Sequence, residues 1–420
     1  MRAMQRGSPP ERKRASITEP HRRDHTVRLP REIAERVAEG HPWVFDDFLL
    51  GRRLDAPAGT PFTLVDALGN FVARALFDPS GPLVLRVFSR EPQARLDAAR
   101  VQRVIDQAAE WRRWVLDVGP HSALRVLNGD SEGLPAVNVD RYGRYLVVTS
   151  YSAVAERYES LLWAALQRCW QPAAIYLQRR YQPVAAGAAR PGAELVWGEA
   201  APPEVIVEEG RGRFVVDVSA PRSPGLFIDM RAGREVVARL AAGRRVINCF
   251  SYTGAFSVVA ALHGARAVLS VDSAPRAHAG ARRNLAINGV DTSAPQYEFV
   301  TGDAFATLAR CAARQRRFEL VIVDPPTFST AKGRAFTAYK DYAELAAAAV
   351  GVLEPGGLLL AACNATKLSI EELERALGWG AHHAGRQLVI AERLGQPADY
   401  PVLSGFPEGR YLKLVLARVT

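Results

Sequence analysis

Beyond about Val205 the apolar residues follow two alternating rhythms. Short runs rich in consecutive apolar residues, RRVINCF, AVLSVD, YEFVTGD, FELVIVD and GLLLAAC, read as buried strands. Between them AFSVVAALHG, PRAHAGARRNLAINGV and YAELAAAAVGVL carry helical periodicity. Strands that stay apolar on both faces, separated by amphipathic helices, predict a doubly wound parallel sheet over residues 205–420. This is an α/β, Rossmann-like arrangement, in which working residues gather in loops at the carboxyl ends of the strands.

The pattern upstream is different. Residues 25–92 predict a small β-rich barrel. TVRLP reads as a short strand, REIAERVAEG as a helix closing on Gly40, and HPWVFDDFLL as a strand. PFTLVDALGNFVARALFD reads as two strands about a turn at Leu68-Gly69-Asn70, and LVLRVFS as one more. Residues 96–196 predict a central α+β domain, opened by the long helical stretch LDAARVQRVIDQAAEWRRWVLD and closed by the strand AAIYLQRR. The Gly/Pro-rich residues 185–192 read as a linker, and the polar, basic residues 1–24 as a disordered tail.

Charge adds a partner class. The 420 residues carry a net charge of +10. Seven Lys/Arg against three Asp/Glu in the first 25 residues account for four of those charges. A basic surplus suits a phosphate-rich partner, although a coding bias toward Arg produces the same balance. No apolar run approaches a membrane span, and no apolar stretch follows the basic N-terminal residues, so a cytoplasmic protein without a membrane partner is expected. The four cysteines, Cys169, Cys249, Cys311 and Cys363, show no metal-ligand spacing, and no metal is expected. Nothing decides between a monomer and a homodimer.

Candidate chemistry sits at the strand ends. The first strand runs into Asn248-Cys249-Phe250-Ser251-Tyr252-Thr253-Gly254, with a helix after Gly254. Backbone N–H groups and a helix N-terminus can face a ligand there, but one glycine does not make a dinucleotide fingerprint. Asp272 ends the second strand, where a carboxylate can accept from two ribose hydroxyls or cap the helix opening at Pro275. Asp303, after the third strand, can accept from an adenine amino group or cap the next helix. The fourth strand ends Asp324-Pro325-Pro326-Thr327-Phe328, where two prolines stiffen a loop able to hold the edge of a planar base.

NCFSYTGAF, VDSAPRAHAGARRNLAINGV, GDAF and DPPTFS together resemble the motif series of class I S-adenosylmethionine (SAM)-dependent RNA methyltransferases. With GHPWVF, FVARALFDP, RVLNGDSEGLPAVNVDRYG, GLFIDMR and FPEGRYLK added, the chain from about residue 26 resembles the large-subunit (23S) ribosomal RNA cytosine-C5 methyltransferases with an N-terminal PUA domain. The resemblance implies a PUA barrel, a central domain and a catalytic domain, with SAM as cofactor and ribosomal RNA as partner. It implies that Phe250, Tyr252, Thr253 and Gly254 line the cofactor, that Asp272 meets the ribose and Asp303 the adenine, and that Arg231 lies at the cofactor's entrance.

Cytosine C5 must be activated by adding a thiolate to C6. Cys363, ending the fifth strand at the same sheet edge as Asp324, is the expected nucleophile, with Lys367 favouring its thiolate. The expected base pocket lies between Pro325, Pro326, Thr327, Phe328 and that strand end. Where the cytosine-C5 relatives carry a Ser/Cys-rich run such as S-C-S, this chain has Ala362-Cys363-Asn364-Ala365. DPPTFS, Lys332 and an Asn after the fifth strand also resemble a guanine-N7 methyltransferase domain, whose target needs positioning but no covalent cysteine. A non-catalytic RNA-binding assembly factor that keeps the fold is the remaining alternative.

Overall fold

A strand buried on both faces has no polar side to show, and the five parallel runs of the C-terminal half pack side by side with a half-buried strand at their edge. The computed structural model describes residues 25–49, 51, 53–184, 190–221, 223–326, 328–331 and 334–420, with backbone alone over 328–340. The expected tail, much of the expected linker, Thr327 and Lys332 lie outside the described residues, as does the Phe328 side chain.

The N-terminal module is a five-stranded sheet in the order β1-β3-β4-β5-β2. Its strands are β1 (His25–Arg28), β2 (Trp43–Phe45), β3 (Pro61–Val65), β4 (Phe71–Phe77) and β5 (Leu83–Ser89), with helix α1 (Arg31–Ala38). The β3–β4 turn falls where the sequence puts it. Asp66 Oδ1 accepts from the N–H groups of Leu68 and Asn70, and Gly69 takes φ 92°. The strand expected over HPWVFDDFLL is shorter, because Asp46–Leu49 turns as a 3-10 helix opened by two acidic residues.

The central unit has the sheet β10-β9-β8-β7-β6. Its strands are β6 (Ala123–Asn128), β7 (Val137–Tyr142), β8 (Tyr145–Ser150), β9 (Ala174–Arg179) and β10 (Glu194–Gly198). Helices α2 (Ala98–Val115), α3 (Gly129–Glu132) and α4 (Glu159–Trp170) accompany it, and Val101, Ile105, Leu162 and Leu166 bury against Val126, Val148 and Ile175. A separate hairpin, β11 (Val205–Glu209) with β12 (Gly212–Val216), follows.

The C-terminal sheet runs β15-β14-β13-β16-β19-β21-β20. Its strands are β13 (Arg245–Cys249), β14 (Ala267–Asp272), β15 (Tyr297–Thr301), β16 (Phe318–Val323), β19 (Leu353–Cys363), β20 (Leu388–Leu394) and β21 (Lys413–Val419). The first five are mutually parallel, and β21 runs antiparallel to both of its neighbours. Helices α5 (Arg231–Leu240), α6 (Ala255–Leu262) and α7 (Pro275–Ile287) cover one face. Helices α8 (Ala304–Ala313), α9 (Ala338–Gly351) and α10 (Ile370–His383) cover the other. A hairpin the sequence did not suggest, β17 (Phe328–Ala331) with β18 (Arg334–Thr337), leaves the sheet after Pro326.

The loop 395–412 joins all three units. Asp399 is fully buried; its Oδ1 accepts from Arg231 at 2.7 Å and its Oδ2 from the Arg125 N–H at 2.8 Å. Arg112, buried in α2, donates to the Asp399 carbonyl at 2.8 Å. On the N-terminal module, His41 Nε2 lies 3.1 Å from Glu408 Oε2, and the Trp43 ring packs edge-on to Phe406 at 4.5 Å.

Candidate active site

Strand ends in a parallel sheet release their loops on one side, and here they enclose a cavity of about 580 Å³. The loop after β13 supplies its floor. Phe250 (φ 62°) and Tyr252 (φ 47°) are both left-handed, at about 1–2 kcal/mol each for a residue with a side chain. Three hydrogen bonds hold this coil: Ser251 N–H to Val271 O, Gly254 N–H to Ser251 O, and Tyr252 N–H to Asp272 Oδ2 at 2.8 Å. Gly254 is required twice over, by φ 74° and because an added Cβ would stand 2.7 Å from that of Ala281. Gly254 shapes the turn, whereas Phe250, Ser251, Tyr252 and Thr253 line the cavity. Thr253 Oγ1 donates to Gly225 O at 2.5 Å, anchoring the segment that forms the opposite wall.

Asp272 and Asp303 both line the cavity. Asp272 also accepts from Ala274 N–H at 2.9 Å, and Asp303 caps α8 by accepting from Ala306 N–H at 2.9 Å. Each carboxylate therefore serves the backbone, yet an ionised carboxylate has about four lone-pair sites and retains acceptors for a ligand.

Asp324, Pro325 and Pro326 form the wall at the end of β16. Burial pushes the Asp324 carboxyl up to about 7; the nearby Asp229 charge adds to the rise, and Arg234 opposes it. At the end of β19 the residue that reaches the cavity is Asn364. Cys363, one position earlier, alternates onto the other face. There it is 1% exposed and packs in the apolar cluster that includes Tyr342, Leu373 and Leu377. Burial pushes its thiol up, while the Ala365 N–H and the Lys413 ammonium pull it back.

Four expectations need correction. Gly254 coils the loop but is not part of the cavity wall. Cys363 is absent from the cavity wall. Lys367 is exposed on a turn away from it, and the cation felt by Cys363 is the buried Lys413, directly across the β19–β21 ladder. Arg231 is no entrance residue: it is buried in the junction, donating to Asp399 and to Ala123 O. Asp229, Phe227, Arg234 and Leu412 line the cavity and were not anticipated. GLFIDMR held the first two in plain view, but nothing local distinguishes Asp229 or Phe227 from the arginine two positions beyond Asp229.

A family model for S-adenosylmethionine-dependent methyltransferases matches residues 149–414, and one for a PUA-like domain matches residues 27–90. The chain belongs to the SAM-dependent methyltransferases. It is 33% identical over 386 residues to Ribosomal RNA large subunit methyltransferase I of Yersinia pestis, covering 90% of this chain and 95% of the relative. The same figures hold for the Yersinia pseudotuberculosis protein. A crystal structure of a candidate methyltransferase complexed with SAH shares the fold at TM-score 0.85, 22% identity, 94% of this chain and 100% of that one. A candidate SAM-dependent methyltransferase from Streptococcus mutans does so at TM-score 0.83 and 21% identity, with the same coverage. In this methyltransferase the cavity residues fit the cofactor. Two carboxylates at adjacent strand ends can accept from hydroxyl and amino groups. Ser251 Oγ, buried at the cavity wall, has no hydrogen-bond partner among the described residues and can meet a polar ligand. Phe250, Tyr252 and Phe256 give the apolar surface an adenosine needs.

Proposed function

We propose that this enzyme methylates a base of large-subunit ribosomal RNA by direct transfer to a ring nitrogen, with guanine N7 as the acceptor. The observation that carries this reading is which of the described residues line the cavity at the ends of β16 and β19: Asp324 and Asn364 do, and no cysteine among them does. The large-subunit substrate is carried over from the name of the Yersinia relatives. In this assignment Asp272 accepts from the ribose, Asp303 from the adenine amino group, and Phe250 and Tyr252 flank the adenosine. When bound, SAM supplies an electrophilic methyl group. Guanine N7 is already nucleophilic, so the protein has only to hold the base in line and exclude water. The Asp324 carboxylate suits the N1–H and N2–H donors of a flipped guanine, with the Asn364 amide beside it and Pro325 and Pro326 stiffening the wall. The basic charge and the PUA-like domain suit an RNA partner.

A second reading, cytosine C5 through a covalent Cys363 intermediate, is favoured by one observation. The thiol sits one residue from the cavity, with the Ala365 N–H and Lys413 both supporting its thiolate. Paired substitutions separate the two. Methyl incorporation into ribosomal RNA by Cys363→Ala should stay within about threefold of wild type, while Asn364→Ala should lose about 10–100-fold, the cost of about 1–3 kcal/mol of base positioning. An inactive, folded Cys363→Ala protein that still binds SAM would overturn direct transfer.

A further inference from the structure

Among the described residues the cavity holds four carboxyl groups, and three have assignments: Asp272, Asp303 and Asp324. The fourth, Asp229, sits in the short segment between β12 and α5 that forms the wall opposite the β13 loop. Its Oδ2 accepts from the Tyr411 hydroxyl at 2.7 Å, and the Tyr411 carbonyl in turn accepts from Lys413 Nζ at 2.8 Å. A half-buried tyrosine thus fixes the carboxylate from behind, and among the described residues no donor meets its second oxygen. The nearby guanidinium groups are engaged elsewhere, Arg234 by Glu209 and Arg231 by Asp399 and Glu209. A carboxylate in a half-buried cavity, close enough to a second carboxyl to disturb it, calls for a cationic ligand group.

The sheet order says which group. With the adenosine over β14 and β15, a ligand crossing the β13 loop toward Asp324 brings its methionine end near Asp229, which lines the same cavity close enough to Asp324 for the two carboxyl groups to interact. That end carries the ligand's only ammonium, with N–H donors for an open carboxylate oxygen. We propose that Asp229 anchors the α-ammonium of the cofactor's methionine moiety, and that Tyr411 is the positioning residue behind it. The assignment rests on the orientation given under Proposed function, with Asp272 and Asp303 on the adenosine.

Asp229→Asn keeps an oxygen for Tyr411 and removes the charge. Isothermal titration of the purified full chain with SAM, SAH and 5′-methylthioadenosine tests the proposal, because the last ligand lacks the amino-acid moiety. The variant should bind SAM and SAH about 10–100-fold more weakly and methylthioadenosine within about twofold of wild type. Tyr411→Phe should show the same selectivity with a smaller loss. Unchanged SAM affinity, or equal losses for all three ligands, would overturn the proposal. Asp272→Ala is the control for orientation. It should weaken all three ligands alike, and a loss confined to SAM and SAH would place the methionine end at Asp272 and overturn the assignment from that side.

Discussion

Replacing Asp324 by Asn removes an ionisable group from the cavity wall while keeping its size. In the wild type the folded carboxyl titrates at about 7, whereas the unfolded chain titrates near an ordinary carboxylate value of about 4. Between those values the folded state holds the extra proton, so stability falls as pH rises, by about 1.4 kcal/mol per pH unit. The full interval corresponds to about 4 kcal/mol; because the carboxyl is partly exposed, about 2–4 kcal/mol is the expected range. Asn carries no such penalty. Urea unfolding of both proteins without SAM at pH 4.5 and pH 8 cancels every other titrating group common to the two. The stability of Asp324→Asn relative to wild type should rise by about 2–4 kcal/mol from the lower to the higher pH. An increment independent of pH would refute the claim that Asp324 is a desolvated carboxyl. The same titration bears on catalysis. If the ionised carboxylate accepts from guanine, kcat/KM rises with pH through about 7; a protonated Asp324 donating to cytosine N3 would make it fall.

Two further outcomes follow from the same structure. Asp272→Ala removes both a ligand acceptor and the hydrogen bond that coils the β13 loop at Tyr252, so SAM affinity measured by calorimetry should fall by about 1–3 kcal/mol in a folded protein. Asp399→Ala leaves the buried Arg231 with part of its neutralisation gone and frees the Arg125 N–H, so denaturant unfolding should show a loss of about 3–5 kcal/mol; a loss under 1 kcal/mol would show that the junction is not held there.

The parallel sheet was legible because its central strands, covered on both faces, leave uninterrupted apolar runs such as FELVIVD, and three strands are followed at or just past their ends by an aspartate in the cavity wall. Asp272, Asp303 and Asp324 were singled out in this way, and all three line the cavity. The cysteine was chosen by chemistry, and a strand's two-residue period decides otherwise: Leu359, Ala361 and Cys363 pack with α9 and α10, while Asn364 is carried to the cavity. Arg231 was misplaced because its partner, Asp399, lies 168 residues away on a loop with no pattern of its own. Lys413 escaped for a similar reason, since only the antiparallel pairing of β21 with β19 sets it opposite Cys363. The short strand at Trp43 shows local chemistry overruling an apolar run, with Asp46 and Asp47 turning the chain where HPWVFDDFLL suggested continuation.

The central claim is direct methylation of a ring nitrogen, and the identity of the product nucleoside tests it. Large-subunit and small-subunit ribosomal RNA, incubated separately with the protein and SAM carrying a deuterated methyl group, can be digested to nucleosides and resolved by mass spectrometry. The account predicts labelled 7-methylguanosine from the large-subunit RNA and none from the small-subunit RNA. Labelled 5-methylcytidine in its place would contradict direct transfer and put Cys363 at the reacting base.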